Sequence, residues 1–410
     1  MDTDNNQPPI EPSSATKLHM SRLGPLPAFL CLYVATYAAF GVASPFWPRY
    51  FEVRGLTPEE LGVLFGLGTA MRLIAGPLAN RIADIFAALR AILAVCVVTA
   101  VAAALGLIGA QAFWLLLVVH LVQAAALAPI TTLADALAVR ASVQRQGFEY
   151  GWVRGAASAA FIAGTLAAGQ VLGHFELSAI VWMHAALLAG ALLGVALAPE
   201  ADTRAQRAAD PVGQSVIGGA RELLGLTTFR RVIVIAALIY GSHAMHDTFS
   251  VIRWTAAGIG TAASSLLWSE AVAAEVAVFV LVGPMLLRSL GVAGAATLAA
   301  GAAILRWVVE AETAVIWMLA VVQPLHGLTF ALMHLACMRV IANSVPAHLA
   351  ATAQAFYAVG PALATATLVG VSGRLYEAFG PRGFLMMAAL CVLSLPLAVR
   401  LRDRSTASRT

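Results

Sequence analysis

Twelve apolar stretches, each long enough for a helix that crosses a lipid bilayer, follow one another along this chain. A transmembrane helix needs about 20 mostly apolar residues. The loops between most of the stretches are short, which makes neighbouring helices antiparallel. The stretches lie at 25–50, 59–82, 87–109, 112–139, 149–173, 177–198, 230–254, 261–287, 291–310, 314–342, 348–376 and 382–401. The sequence therefore predicts an all-α membrane protein with twelve transmembrane helices.

The composition excludes a soluble fold. Of the 410 residues, 60% are hydrophobic and 11% are charged, whereas a soluble domain carries about 25% charged residues. So few polar residues could not cover a water-exposed surface. The net charge of +4 does not indicate a nucleic-acid partner, because the basic residues are spread between the apolar stretches. The four cysteines fall inside those stretches without the spacing of a metal site, so we expect no bound metal.

One polar segment after the sixth stretch divides the chain into two halves. We predict a tail, a six-helix bundle, a linker, a second six-helix bundle and a second tail, at 1–23, 24–199, 200–229, 230–401 and 402–410. Two motifs recur in both halves at nearly the same offset. They are Gly76-Pro77 with Arg81 and Gly283-Pro284 with Arg288, then Gly169 with Phe175 and Gly373 with Phe379. The recurrence indicates a duplicated bundle related by a pseudo-two-fold axis. In membrane carriers built from such repeats, the substrate site lies between the halves, near the bilayer midplane.

The distribution of Lys and Arg predicts the orientation. The loops on the side of both termini carry far more of these residues than the loops on the other side. Because cytoplasmic loops are enriched in positive charge, we expect both termini in the cytoplasm and a multi-pass protein of the bacterial inner membrane. The first apolar stretch is long enough to span, so we interpret it as an uncleaved helix rather than a signal peptide. We expect a monomer.

Short polar motifs inside the helices resemble those of the phenylpropionate permease family, a branch of the major facilitator superfamily. They are Ser44-Pro45-Phe46-Trp47, Leu133-Ala134-Asp135, Tyr150-Gly151-Trp152-Val153-Arg154, Gly241-Ser242-His243, Ala274-Glu275, Gln323-Pro324-Leu325-His326 and His334-Leu335-Ala336-Cys337-Met338-Arg339. The resemblance covers nearly the whole chain. It implies proton-coupled uptake of a small aromatic carboxylate, similar to 3-phenylpropionate, with the proton as coupling ion and no other cofactor.

The family is in turn similar to the lactose-permease-like proton symporters. That similarity implies functional roles for Asp135, Arg154, Arg306 and His326. The chain departs from the pattern in two ways. Asn80 replaces the acidic residue usual between the second and third helices, and His246, Asp247 and Glu270 are less typical of the family.

Polar side chains within the apolar stretches are the candidate substrate ligands, because such groups are costly in a bilayer unless they face a cavity or a partner. Asp135 and Arg154 come from consecutive helices and could meet, either as a structural salt bridge or in a site where Arg154 binds a carboxylate. Aromatic side chains of the first helix, among them Tyr37, offer a surface for an aromatic ring. The full set of candidate substrate ligands is Tyr37, Asp135, Arg154, Gln323, Gln354 and Tyr357.

The second half holds the candidates for proton coupling. Glu275 lies in the middle of the eighth helix, where a carboxyl group can take up and release a proton. His326 titrates near neutral pH even without perturbation, and Arg306 could pair with Glu275 or repel a protonated His326. The full set is Glu275, Arg306, His326, His334, His243, His246 and Asp247. We interpret His120 and His184 as packing residues, and Arg72 as a structural residue that reaches for the cytoplasmic membrane surface.

Three alternatives to this function remain open at the level of the sequence. Asp135 and Arg154 would also serve the hydroxyl groups of a sugar or nucleoside. An exporter of drugs or metabolites is less favoured, because the fifth helix lacks the proline usual in such antiporters. A membrane-embedded enzyme is disfavoured because the chain has no H-E-x-x-H, G-x-S-x-G or Walker-type motif.

Overall fold

The computed structural model describes residues 25–144, 148–199 and 216–401. These residues are almost entirely helical, and none of them forms a β-strand. The predicted tails, at 1–23 and 402–410, and the first part of the predicted linker lie outside the described residues. The later part of that linker forms the helix Val216–Gly225.

Nine helical stretches of the described chain are long and apolar enough to cross a membrane. Two of them, Thr261–Glu312 and Ala347–Ala398, have 52 residues each and cross it twice. The helix Tyr150–Val171 completes the set, which confirms the prediction of twelve transmembrane helices.

The helices of the first half are TM1 (Leu26–Ala43 and Trp47–Val53), TM2 (Pro58–Phe86), TM3 (Leu89–Gly109), TM4 (Phe113–Gln144), TM5 (Tyr150–Val171) and TM6 (Ala179–Leu197). Those of the second half are TM7 (Thr227–Gly241 and Ala244–Ala256), TM8 (Thr261–Ala277, the π-helical turn Val278–Val282 and residues 283–290), TM9 (292–312), TM10 (Ile316–Val322 to Met333–Ser344), TM11 (Ala350–Phe379) and TM12 (Phe384–Ala398). TM8 and TM9 share the helix Gly283–Glu312, which breaks at Gly291, where φ is 66°.

Three helices are interrupted near the middle of the bundle. TM1 breaks at residues 44–46, where Pro45 and Pro48 cannot continue the helical hydrogen-bond ladder. TM7 breaks at residues 242–243. TM10 changes from α-helix to a 3-10 turn at Gln323–Leu325 and then to a π-helical turn at Leu328–Leu332. Such interruptions free backbone and side-chain groups at the depth where carriers of this architecture bind their substrates.

The two halves are joined at one end of the bundle and separated at the other. We call the face where TM1 begins and TM12 ends the terminal face, and the opposite face the distal face. One apolar core unites side chains of both halves, and all its members lie in the distal part of their helices. The cores of the terminal part belong to one half each. The structure is therefore closed at the distal face and open towards the terminal face.

Glycines allow the distal closure. TM2 crosses TM11 so closely that a Cβ atom on Gly62 would lie 2.9 Å from the Cα atom of Gly373. The TM5–TM8 contact is equally close, and Thr261 Oγ1 donates a 2.9 Å hydrogen bond to the carbonyl oxygen of Gly169 there. An ion pair between Arg374 Nε and Glu59 Oε1, at 2.7 Å, joins the halves at the distal surface.

Candidate functional site

A cavity of about 370 Å³ lies between the two halves. The first half contributes residues of TM1, TM2, TM4 and TM5, and the second half contributes residues of TM7, TM8, TM10 and TM11. The polar and aromatic side chains that line it are Ser44, Trp47, Phe65, Thr69, Arg72, His120, Gln123, Phe161, His246, Asp247, Thr248, Trp268, His326 and Thr365. Many of these side chains sit next to the breaks in TM1, TM7 and TM10, so the interrupted helices shape the cavity.

Arg72 lies midway along TM2, and its side chain is exposed to the cavity. Within the described chain it forms no ion pair and no hydrogen bond. The sequence-based prediction that Arg72 reaches the cytoplasmic membrane surface is wrong, because the side chain lines the cavity between the halves.

An aromatic hollow adjoins Arg72 on the side of the first half. This hollow has a volume of about 400 Å³ and includes Phe40, Trp47 and Phe161 in its lining, together with Arg72 and His184. His184 is fully buried and its Nδ1 lies 2.9 Å from the carbonyl oxygen of Ala39. His120 is likewise buried and packs edge-on against aromatic rings, yet both histidines also border the cavities.

On the opposite wall, Asp247 of TM7 is exposed to the cavity. No donor among the described residues forms a hydrogen bond with its carboxylate. Its neighbour His246 is buried, stacks on Trp268 with ring centroids 5.3 Å apart, and lies 2.8 Å from Ser250 Oγ. The predicted cluster of His243, His246 and Asp247 is therefore divided between the cavity surface and the interior of the second half.

Behind this wall, a chain of polar side chains is buried inside the second half. Arg306 on TM9 is fully buried, and its Nη2 donates to Gln323 Oε1 at 3.0 Å. The amide nitrogen of Gln323 donates in turn to Glu310 Oε1 at 3.1 Å. Glu310 also lies 3.4 Å from His246 Nδ1 and 4.0 Å from Arg253 Nη1. Gln323, predicted as a substrate ligand, is thus fully enclosed in this network.

Glu275 joins the network through His326. Arg306 Nη1 lies 3.3 Å from His326 Nδ1, and because a guanidinium group can only donate, this nitrogen must accept. The other ring nitrogen, Nε2, then carries the proton and points at Glu275 Oε2 at 3.2 Å. The side chain of Glu275 is 30% exposed. Arg306 contacts His326 rather than Glu275, so the direct pairing that the sequence left open is not formed.

His243 is the second histidine that accepts a hydrogen bond from Arg306. Its Nδ1 donates to the carbonyl oxygen of Ile239 at 2.9 Å, and its Nε2 lies 3.3 Å from Arg306 Nη1. The ring of His243 also packs edge-on against Trp307, 5.0 Å between centroids. One arginine therefore holds two neutral histidines in place.

Two members of the network were missed from the sequence. Glu310 lies at the end of the ninth apolar stretch and Arg253 at the end of the seventh, so neither is among the candidates predicted from the sequence. In the structure TM9 continues to residue 312, and Glu310 is fully buried beside Arg253 and Trp254. An acidic residue four positions after Arg306, near the end of an apolar stretch, is the signal in the sequence for Glu310.

We call the region between the halves on the terminal face the vestibule and assign to it five side chains that are not buried: Tyr37, Arg154, Glu275, His334 and Tyr357. Arg154 is exposed there, and its guanidinium carbon lies 4.9 Å from the centre of the Tyr37 ring. Arg154 and Glu275 belong to different halves, and their charges act on each other across this space.

Asp135 and Arg154 do not form the predicted pair. Asp135 instead accepts hydrogen bonds from the hydroxyl groups of Tyr33 and, at 2.8 Å, Tyr150. These tyrosines belong to TM1 and TM5, so Asp135 ties three helices of the first half together. Thr165, which shares a helical face with Arg154, is fully buried and donates to the carbonyl oxygen of Gly41 at 2.9 Å.

The remaining candidates lie in the terminal part of the second half. His334 Nδ1 is 2.8 Å from the hydroxyl group of Tyr357, which lies 3.3 Å from that of Tyr240. Gln354 is exposed on TM11, eleven residues before the cavity residue Thr365. At 1.5 Å per residue this places Gln354 about 16 Å from the cavity on the same helical face, in reach of the vestibule only.

Two six-helix halves around a polar cavity at mid-membrane depth, closed on one face and open on the other, define a membrane transporter of the major facilitator type. The model of the MFS_1 like family matches residues 28–387, and the chain belongs to that family. It is 31% identical over 365 residues to the "Probable 3-phenylpropionic acid transporter" of Escherichia coli (strain K12), which covers 88% of this chain and 93% of that protein.

Solved structures share the fold. The nucleoside transporter NupG superposes with a TM-score of 0.77 at 17% identity, over 92% of this chain and 99% of that one. A bacterial homologue of the human lysosomal transporter Spinster, in an inward-facing and unoccupied conformation, gives a TM-score of 0.68 at 14% identity, over 94% and 97%. Because the chain belongs to the MFS_1 like family and its 31%-identical relative is a probable transporter, the alternative of a membrane-embedded enzyme is set aside.

Proposed function

We propose that this transporter takes up a small aromatic carboxylate together with protons, by alternating access. The observation that carries the proposal is Arg72, an unpaired guanidinium group that faces a mid-membrane cavity beside an aromatic hollow. The similarity to the 3-phenylpropionic acid transporter of Escherichia coli supports the same substrate class.

The cavity offers complementary surfaces for such a molecule. The planar fork of Arg72 can bind both oxygens of a carboxylate. The aromatic ring of the substrate can pack against Trp47 and Phe161, which favour offset or edge-on contacts. Arg154, in the vestibule, lies on the path that the anion takes from Arg72 to the terminal face.

Glu275 and His326 are our proposed proton site. Nδ1 of His326 accepts a hydrogen bond from Arg306, so a second proton on this ring would displace the buried guanidinium group. Glu275 is partly exposed, and its carboxylate can bind a proton without displacing Arg306. Ionised Glu275 attracts Arg154 of the other half across the vestibule, and this attraction favours closure of the terminal face. Release of the proton would therefore help the empty carrier to return, as symport requires.

We assign the terminal face to the cytoplasm of a bacterial inner membrane. Cytoplasmic loops are enriched in Lys and Arg, and both termini lie on the side richer in these residues. The described conformation is then open to the cytoplasm. The inward-facing Spinster homologue, with its similar fold, supports this assignment.

A pair of matched substitutions tests the binding site. We expect Arg72→Lys to weaken binding of 3-phenylpropionate at least tenfold, about 1.4 kcal/mol, because lysine keeps the charge but loses the planar fork. Arg154→Lys should change the dissociation constant by less than threefold. Binding is measured by thermal shift or calorimetry on the purified full-length protein.

If Arg154→Lys weakens binding more than Arg72→Lys does, the carboxylate of the substrate binds to Arg154 instead. The amide of the same acid serves as the ligand control, because it has the same shape without the negative charge. If the amide binds as tightly as the acid, the carboxylate is not recognised, and a sugar or nucleoside becomes the better substrate class.

A further inference from the structure

Asp247 is a charged group of the cavity that the proposed function does not use. The residues on either side of it are buried and hydrogen bonded: His246 lies 2.8 Å from Ser250 Oγ, and Thr248 donates to the carbonyl oxygen of Ala244 at 3.0 Å. All three residues line the cavity, and Asp247 is the one whose side chain is exposed there. Since no described side chain donates to its carboxylate, its hydrogen-bonding capacity is open to whatever fills the cavity.

Arg72 and Asp247 face each other from opposite walls. Arg72 also lines the aromatic hollow, which is built from the first half alone, whereas Asp247 is on the wall of the second half. The two side chains form no ion pair with each other within the described chain. Apolar and aromatic side chains, among them Trp47, Phe161 and Trp268, line the same cavity. The cavity therefore presents a cationic group from the first half and an anionic group from the second.

An unsubstituted aromatic acid would match only one of these two charged groups, Arg72. With its carboxylate on Arg72, its ring would displace water from Asp247 and offer no donor in exchange. Covering a carboxylate in this way is costly. A site that holds an unpaired acceptor against an apolar ligand discriminates strongly in favour of a ligand that supplies the missing hydrogen bond.

We propose that the physiological substrate carries a hydrogen-bond donor, a hydroxyl or an ammonium group, at the end of the molecule remote from its carboxylate, and that Asp247 accepts this hydrogen bond. The inference rests on the proposed function, because it assumes that Arg72 holds the carboxylate. Asp247 lies outside the hydrogen-bond chain that runs from Glu275 through His326 and Arg306, and so it acts on selectivity and not on the proton relay.

A set of four acids that share one skeleton tests the inference. They are 3-phenylpropionate and its para-hydroxy, para-aminomethyl and para-methoxy derivatives, each titrated against the purified full-length transporter. The methoxy derivative matches the hydroxy derivative in size and cannot donate. We expect the hydroxy or the aminomethyl acid to bind at least tenfold more tightly than both the unsubstituted and the methoxy acid. The better of the two identifies the donor as a neutral hydroxyl or a cation.

In Asp247→Leu this preference should disappear, with the dissociation constant of the favoured acid rising at least tenfold. Glu270→Leu removes a carboxylate of TM8 that does not line the cavity, and it should keep the preference. Equal binding of all four acids to the native protein would overturn the inference and leave the proposed function intact. A loss of pH-dependent uptake in Asp247→Leu, without a change in preference, would also overturn it and assign Asp247 to proton coupling. If none of the acids binds, both proposals fail.

Discussion

At the scale of single residues, the two halves differ in whether their charged side chains are exposed or buried. Arg72 and Arg154 of the first half are exposed to the cavity and the vestibule. Arg306 and Glu310 of the second half are fully buried and held by other side chains. Exposed charges can change partners during a transport cycle, whereas a buried network of this kind keeps its geometry. The charged groups of the first half are therefore available to a ligand, whereas Arg306 and Glu310 of the second half are bound to other side chains of the protein.

The role of Glu275 can be tested by a substitution that imitates its protonated form. We expect Glu275→Gln to lose accumulation against a gradient, because no proton is taken up or released. It should still exchange labelled for unlabelled substrate, because exchange needs only the loaded carrier to reorient. Both activities are measured in proteoliposomes with and without a pH gradient.

The matched control is Glu270→Gln, which changes a carboxyl group on the same helix outside the cavity and should accumulate substrate normally. If Glu275→Gln also accumulates substrate normally, the proton is carried by another group. A simple loss of folded protein would instead mean that the contact with His326 is structural.

At the scale of helices, TM8 and TM10 pack closely because Gly327 has no side chain. A Cβ atom on Gly327 would lie 2.6 Å from the carbonyl oxygen of Ala274 and 2.7 Å from a methyl group of Val278. Gly327 follows His326, and Ala274 precedes Glu275. The close approach of the two backbones is therefore what brings the histidine within hydrogen-bond distance of the carboxylate.

We expect Gly327→Ala to push TM10 away from TM8, which lowers the thermal stability and weakens coupling, seen as a smaller accumulation ratio at a given pH gradient. Gly301→Ala on TM9 is the control, since no atom lies within 4 Å of the added methyl group. Alanine favours the helix by about 0.5–1 kcal/mol over glycine, so this variant should be at least as stable as the native protein. Equal behaviour of the two variants would contradict the role given to Gly327.

The helices could be predicted from the sequence, while the placement of several polar residues could not. Length and hydropathy decide where a chain crosses a bilayer, and the predicted boundaries lie within a few residues of most helices. Which side of a helix faces the other half is decided by tertiary packing, so the position of Arg72 in the cavity was missed. Glu310 was missed because a charge near a helix end has the same pattern whether it meets water or a buried partner.

At the scale of the whole molecule, the distal closure is the gate that the proposed alternating-access cycle must open. Backbone contacts at Gly62 and Gly373 and the ion pair of Glu59 with Arg374 join the halves there. The apolar core of the distal part also joins the halves, whereas the exposed ion pair contributes only about 0–1 kcal/mol. Opening this face therefore requires that apolar side chains contributed by both halves separate.

Cross-linking this gate should stop transport. We expect Glu59→Cys combined with Arg374→Cys to form a disulfide under mild oxidation, because Glu59 and Gly373 are in direct contact. Uptake should then fall to background and return on reduction. Each single cysteine variant, treated in the same way, controls for the four native cysteines, of which Cys337 and Cys391 are buried. Full uptake by the cross-linked protein would exclude opening of the distal face as part of the cycle.

The opening towards the terminal face has a consequence for the regulation of flux. Under the proposed uptake and orientation, the cavity in this conformation is in contact with the solution on the side where substrate accumulates, and not with the solution from which substrate is taken. As the internal pool grows, more carriers are reoccupied before they can return empty, and net import slows without any separate inhibitory site. The concentration of imported acid would thus limit further import, and slow consumption of the acid inside the cell would lower the rate of uptake.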